Sequence, residues 1–418
     1  MVRDKFSKDN IDYVLLLVIV GLLVFSLIMI TSIGVPKSID LSKSKDILFP
    51  TCGVDGVDCY FLLKRHLARI GVGLIALLLG SKVPYRFWRK IAIPFFVAVF
   101  MLLVLIFIVG TRNNTAALSW INIYNNSFQP AEIAKLALIF YLASWLERKG
   151  PEIQDFKNGF VAFAVVAAIV VLPVVLQPDF GSTLIFTIIA GSLFFVAGGL
   201  KRHIALSLLV VFFLVLAVVP TKPYLKHRFI SFFNPSIENC QPEPVTADGV
   251  RRNYCWQTEQ SNIAIGSGGI FGKGLTQGIQ KSYWLPQATD DFIFAASAEE
   301  LGFIRIVFVV VAYMLIAYRG FMIAGAAGDA FGRLTATGIT VWIVSQAFIN
   351  IAVNTGLMPV TGVTLPFISY GGSSMASTLL AAGILLNISK QTTPHAYSIF
   401  RRRDRGTHTP QSRRYRRA

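Results

Sequence analysis

Charge is scarce in this chain. Asp, Glu, Lys and Arg make up only 15% of its 418 residues, against about 25% in soluble domains. With 54% hydrophobic residues and 33 phenylalanines, that scarcity excludes an ordinary soluble domain. Short segments of strictly alternating polarity are also missing, which argues against a β-barrel. The chain has instead continuous apolar runs of roughly 17–22 residues, the length of a helix crossing a hydrocarbon core about 30 Å thick. Helices are what such runs allow, because lipid cannot hydrogen-bond exposed backbone.

No small-residue cleavage site follows the charged N-terminus, so the first run reads as a retained helix rather than a signal peptide. No internal repeat is evident, which disfavours an inverted-repeat transporter. The predicted fold is an all-α integral membrane protein of about ten transmembrane helices. The spans begin near Ile11, Leu67, Ile91, Ala131, Phe160, Ser182, Ile204, Leu301, Leu334 and Ser373. Residues 1–10 form an N-terminal segment, 11–389 the membrane domain and 390–418 a basic tail, with a long loop over about 220–300 between helices 7 and 8. Basic residues gather in the even-numbered connections: Lys82, Arg86, Arg89 and Lys90, then Arg148, Lys149 and Lys157, then Lys201 and Arg202, then Arg319 and Arg333. The positive-inside rule then places both termini in the cytoplasm. The odd connections face outward, and they hold nearly every unusual polar segment.

The net charge of +17 resembles a nucleic-acid signal, but its placement in short loops and the tail reads as orientation and attraction to anionic membrane lipids. No nucleic-acid partner is expected, and the plainest reading of the tail is a disordered basic segment. There are only four cysteines, and all lie in predicted outer loops: Cys52 and Cys59 in the first, Cys240 and Cys255 in the long one. Pairing within each loop is the simplest arrangement in an oxidising compartment. A zinc site using all four is the alternative, although the gaps are not typical zinc spacings.

Five segments carry candidate chemistry. Residues 128–135 include Pro130, suited to a first helical turn, and Glu132 and Lys135, which share a helical face three residues apart. They read either as a self-neutralising pair or as groups lining an outward cavity. In residues 177–183, Asp179 reads as a helix cap, a role compatible with a functional one. Residues 262–275 are glycine-rich and contain Lys273, but lack P-loop spacing. A phosphate-binding nest of backbone N–H groups and plain loop flexibility both remain open. Residues 356–374 hold two prolines and interrupt a helix. Such backbone is tolerated at membrane depth only when buried in protein or lining a wet cavity; a polar outer loop is the other reading.

The fifth segment concentrates what the chain otherwise lacks. Asp290, Asp291, Glu299 and Glu300 put four carboxylates within eleven residues, at the edge of a long apolar run, where acids are expensive and by default mark function. Asp290 and Asp291 point in different directions at a helix start, so one can cap while the other faces a cavity. Glu299 follows Asp291 by eight residues, close to the same helical face.

With these motifs in order, the chain resembles the family of shape, elongation, division and sporulation proteins, which includes FtsW and RodA. The shared stretches are 128–135, 177–183, 228–235, 260–275, 285–302 and 356–374. The resemblance is nearer the division branch than the elongation branch. It implies a glycosyltransferase of the bacterial cytoplasmic membrane that polymerises lipid II into glycan strands on the outer face. It also implies a class B penicillin-binding protein, a transpeptidase, as partner. The family's aspartate before Phe-Ile-Phe is Asp291 here, which implies Asp291 as the catalytic base. Glu132, Lys135 and Asp179 match polar positions of the family's cavity. Gln129, Arg228, Lys273, Ser373 and Ser374 complete the substrate-binding candidates, with Asp290 and Glu300 as candidate secondary acids. A divalent cation, Mg or Mn, is an expected helper without diagnostic ligand spacing; no organic cofactor is expected. The family usually has His-Thr-Asp where this chain has Thr289-Asp290-Asp291, so whether Asp290 shares or competes for the role is open. The second reading is a lipid II flippase, which requires polar groups through the membrane depth rather than at the ends of spans. A non-catalytic scaffold is the third.

Overall fold

The computed structural model describes residues 11–43, 51–54, 56–111, 118–123, 126–207, 209, 223–234 and 255–391. In chain order the helices are α1 (Tyr13–Ile33), α2 (Val35–Ser42), α3 (Phe61–Lys82), α4 (Tyr85–Val109), α5 (Pro130–Lys149), α6 (Ala162–Leu176), α7 (Phe180–Val196), α8 (Pro223–Phe233), α9 (Trp256–Gly268), α10 (Ile293–Ala326), α11 (Ala330–Asn354) and α12 (Gly372–Lys390). A hairpin of β1 (Ile121–Ile123) and β2 (Asn126–Phe128) precedes α5, with Ile121 opposite Phe128. A π-helical turn, Phe156–Val161, leads into α6.

Among the described residues, six helical stretches are long and apolar enough to cross a membrane: Tyr13–Ile33, Tyr85–Val109, Phe156–Leu176, Ile293–Ala326, Ala330–Asn354 and Gly372–Lys390. The helices α3 and α5 are of similar length but carry Lys64, Arg65 and Arg69, or Glu132 and Lys135. The chain is thus an all-α, multi-pass membrane protein. The seventh expected span, near Ile204, falls mostly outside the described residues, as do 1–10, the tail beyond 391, and Cys240. Several helices start earlier than their apolar runs: α3 at Phe61 rather than near Leu67, α4 at Tyr85 rather than near Ile91, α10 at Ile293 rather than near Leu301. Apolarity marks where a helix meets lipid, whereas the first turns of α10 are buried in protein and those of α4 carry exposed Arg86, Arg89 and Lys90. The first expected disulfide, Cys52–Cys59, is formed; Cys255 is also disulfide-bonded.

The bundle core is α3 against α12. A Cβ on Gly80 would come within 2.6 Å of the Leu380 carbonyl oxygen, and one on Gly383 within 2.2 Å of that of Leu77. Small residues let two membrane helices approach backbone to backbone, where van der Waals packing replaces the hydrophobic drive. Long polar contacts tie one end of the bundle. Asp12 caps α1 through Leu15 N at 3.0 Å and accepts from Arg319 Nε at 2.9 Å, while its own N–H donates to Ser389 Oγ at 3.2 Å. Tyr85 N donates to Asn387 Oδ1 at 2.9 Å, and Tyr85 OH to Asp329 Oδ2 at 3.0 Å. The opposite end gathers the C-terminal ends of α1 and α11 with the N-terminal ends of α3, α5, α7, α10 and α12.

Candidate active site

The site forms at that opposite end, around a turn that precedes α10. Asp290 N and Phe292 N both donate to Gln287 O, at 3.0 and 3.2 Å. The turn is anchored from two sides. From the last turns of α11, Asn350 Nδ2 and Asn354 Nδ2 donate to Asp291 O at 2.7 and 2.9 Å. From the segment before α12, Tyr370 N donates to Thr289 O at 3.0 Å and Ser369 Oγ to Asp290 O at 2.6 Å. The main chain of Asp291 is therefore held from two sides, and its carboxylate is left out of these contacts.

The segment 355–371 is irregular at membrane depth, and the structure resolves how that is tolerated. Its carbonyls are taken one by one by side chains from surrounding helices. Val360 accepts from Arg228, Val363 from Asn350, Thr364 from Gln346, Pro366 from Tyr313, Ile368 from Ser26 and Tyr370 from Arg69. Leu365, Phe367, Ile368 and Ser369 are buried. Residues 365–370 are thus non-helical backbone enclosed in protein, whereas 355–360 are half-buried or exposed, with Leu357 at 74%.

The two aspartates differ. Asp290 Oδ2 takes Lys37 Nζ at 2.5 Å and Thr289 Oγ1 at 3.0 Å. The carboxylate of Asp291 accepts no hydrogen bond among the described residues and stands near the open edge of Gly362. Burial pushes the Asp291 carboxyl up to about 7, helped by the Asp290 charge and opposed by the Arg228 and Lys37 cations. A carboxyl raised toward neutrality that accepts no hydrogen bond from the described residues can exchange a proton at ordinary pH. Neither aspartate caps α10, contrary to the sequence expectation: its N-cap is Phe292, with no side-chain cap bond.

The FtsW/RodA/SpoVE family of cell cycle proteins matches residues 13–394. A probable peptidoglycan glycosyltransferase FtsW of Geobacter sulfurreducens is 36% identical over 388 residues, covering 91% of this chain and 95% of its own. Stage V sporulation protein E of Bacillus subtilis is 38% identical over 336 residues, 80% of this chain and 88% of its own. The chain belongs to the FtsW/RodA/SpoVE family. Among solved structures, one from a study of a peptidoglycan synthase complex that coordinates polymerization and crosslinking superposes with a TM-score of 0.71 at 27% identity, covering 92% of this chain and 99% of that one. The rod shape determining protein RodA of Thermus thermophilus follows at 0.64 and 26%, covering 92% and 98%.

The FtsW/RodA/SpoVE fold brings some expected residues together and separates others. Glu132 and Lys135 form the expected pair at 2.8 Å, and Lys135, only 1% exposed, also donates to Gln346 Oε1 at 2.8 Å beneath Trp342. Lys135 is a buried strut rather than an open cation. Asp179 caps α7 through Ser182 N at 2.9 Å and accepts from Gln129 Nε2 at 3.2 Å. Arg228 lies within electrostatic reach of Asp291. Ser373 is half-buried at the start of α12, and Ser374 Oγ accepts from Thr364 Oγ1 at 2.9 Å.

The glutamates correct the sequence reading. Asp291 precedes α10, so helical spacing does not carry from it to Glu299. Glu299 accepts from Lys273 Nζ at 2.7 Å and from Ile279 N and Gln280 N at 2.9 and 3.0 Å. Glu300 accepts from Ser32 Oγ at 2.6 Å and Lys281 Nζ at 2.6 Å. Both are buried and tie down the strap 272–281, with Lys273 and Lys281 as their ion-pair partners. The glycine-rich segment is neither a phosphate nest nor a flexible loop: Lys273 N and Gly274 N are spent on Glu299 O and Glu300 O. Gly272 and Gly302, with φ of 82° and 76°, cross so closely that a Cβ on either would meet backbone of the other segment at 2.2 Å.

Four site residues escaped the sequence reading. Lys37 arrives from α2, and Arg69 lies over the Tyr370 ring at 3.9 Å. Asn350 and Asn354 lie one helical turn apart on α11. Arg69 had a signal, being an arginine inside the second apolar run. Among the described residues no three His, Cys, Asp or Glu side chains group as a metal site; the cations near the aspartates are those of the chain itself.

Proposed function

We propose that this chain is a peptidoglycan glycosyltransferase that polymerises lipid II at the outer face of the bacterial cytoplasmic membrane. The proposal extends to a role in division, where it works beside a class B penicillin-binding protein that crosslinks the strands. The observation that carries the chemistry is the Asp291 carboxyl: on a main chain held from two sides, without a protein donor among the described residues, and titrating near 7. As base it takes the proton of the acceptor hydroxyl while that oxygen bonds to the anomeric carbon of the donor. The anomeric C–O bond to the lipid pyrophosphate breaks, and the pyrophosphate leaves with the electron pair. Its developing charge is met by fixed cations, for which Lys37, Arg69 and Arg228 are placed better than Lys135 or Lys273. No step is routed through a divalent ion, since the described carboxylates do not group as a ligand set.

The outward placement of this end follows from the basic residues at the other end. A flippase would use polar groups through the whole depth; here the ionisable groups around Asp291 sit at one end. The test is lipid II polymerisation by purified protein, with and without its transpeptidase, comparing wild type with Asp291→Asn and Asp290→Asn. Glycan strands lost in the Asp291 variant support the base assignment. Strands made at the wild-type rate by Asp291→Asn would sink it.

A further inference from the structure

At the end of the bundle away from Asp291, the first turns of α4 and the last turn of α5 enclose a cleft of about 380 Å³. Arg86, Arg89, Lys90, Ile93, Ser144 and Arg148 line it. Four cations meet two carboxylates there. Arg89 Nε stands 3.1 Å from Glu147 Oε2, and Arg86 Nε 3.5 Å from Asp329 Oδ2. Lys90 and Arg148 have no carboxylate partner among the described residues, so two positive charges are uncompensated.

The local structure does not account for that excess. Three of the cations sit at the N-terminal end of α4, where the helix dipole disfavours positive charge. That helix has no acidic residue in its first turn, and its N-cap, Pro84, makes no side-chain cap bond. Ser144 is only 8% exposed yet lines the cleft, and its hydroxyl has no protein partner among the described residues. An anion in the cleft relieves the like-charge repulsion, the dipole and the unpartnered hydroxyl together.

The surroundings of the cleft specify the anion. From its rim an exposed apolar stripe runs along α4 at four-residue spacing: Ile93, Val97, Met101 and Leu105. One helix face therefore leads from cations into a surface suited to acyl chains. Basic clefts between helices, at the membrane interface, are suited to phosphate headgroups. We infer that this cleft binds the phosphate of an anionic phospholipid, with the acyl chains laid along α4. The inference stands apart from the glycosyltransferase reading and uses none of its residues.

The test uses the full chain in neutral detergent and native mass spectrometry. Phosphatidylglycerol and phosphatidylcholine are the probes. Wild type is expected to retain phosphatidylglycerol preferentially, and Lys90→Gln with Arg148→Gln to retain it about thirtyfold less, as loss of two interfacial cations predicts. Lys90→Gln alone touches no ion pair, so it leaves the fold intact and moves the same way by less. Lys157→Gln, an exposed cation outside the cleft, is expected to bind as wild type. Equal retention of the two lipids, or an equal loss in Lys157→Gln, overturns the proposal by reducing it to general surface charge. Competition with inorganic phosphate separates the sources: no displacement at millimolar phosphate supports the lipid, whereas complete displacement assigns the cleft to a soluble phosphate compound and overturns it.

Discussion

Two acid pairs stand within eleven residues of each other and behave in opposite ways. Glu299 and Glu300 are fully buried and surrounded by donors: two lysines, a serine and backbone N–H groups of the strap. Asp290 is held by Lys37 and Thr289, and Asp291 by nothing on its carboxylate among the described residues. The difference lies in satisfaction rather than in residue type. A buried charge with a full set of partners is a structural brace, and removing one partner exposes the cost of the rest. A half-buried carboxyl without partners keeps a raised affinity for a proton, which is what base catalysis at neutral pH needs.

The sharpest way to break this comparison is to neutralise one acid of each pair. Asp291→Asn is expected to lower the polymerisation rate by about 10²-fold or more, read as glycan strands from lipid II. Its folding is expected to hold. The folded carboxyl titrates near 7 against an ordinary 3.8, so it contributes stability below the lower value and loses it as pH rises through the higher one. At pH 8 the variant should therefore melt no lower than wild type, with any gap closing toward pH 5. Glu299→Gln is expected to do the reverse. It breaks a buried ion pair and costs about 3 kcal/mol, seen as a lower melting temperature, with activity falling only as folded protein is lost.

Smaller effects sharpen the account of Asp291. The wild-type rate should climb as pH passes about 7 and level above it, since the base acts ionised. Asp290→Asn removes a charge that raises the Asp291 carboxyl and frees Lys37, so the acid limb of the pH–rate profile moves to lower pH. Lys37→Gln removes a cation that lowers it, and the limb moves to higher pH. Shifts of the same sign in both variants would mean that neither charge acts through Asp291.

How much was legible follows from how local each contact is. Glu132 with Lys135 and the Asp179 cap both close within one helical turn, so spacing alone carried them. The second partner of Lys135, Gln346, was not legible, because it comes from a helix far along the chain. Glu299 was placed on the face of Asp291 by counting residues along a helix that starts only after Asp291. Its true partners, Lys273 and the strap, depend on the crossing of Gly272 and Gly302. Arg69 was visible as an arginine in an apolar run, yet Lys37 had no signal, since what marks it is an aspartate some 250 residues away rather than anything nearby.

The sequence by itself determined the membrane helices, the concentration of polar segments at one end, and the family with its aspartate before Phe-Ile-Phe. Those are properties of composition, period and order, which act within a segment or along the chain. Only the tertiary structure decided which acid is free and which is a brace. Whether a carboxylate keeps its proton near neutrality depends on the donors and charges that distant helices bring to it, and on the water they remove.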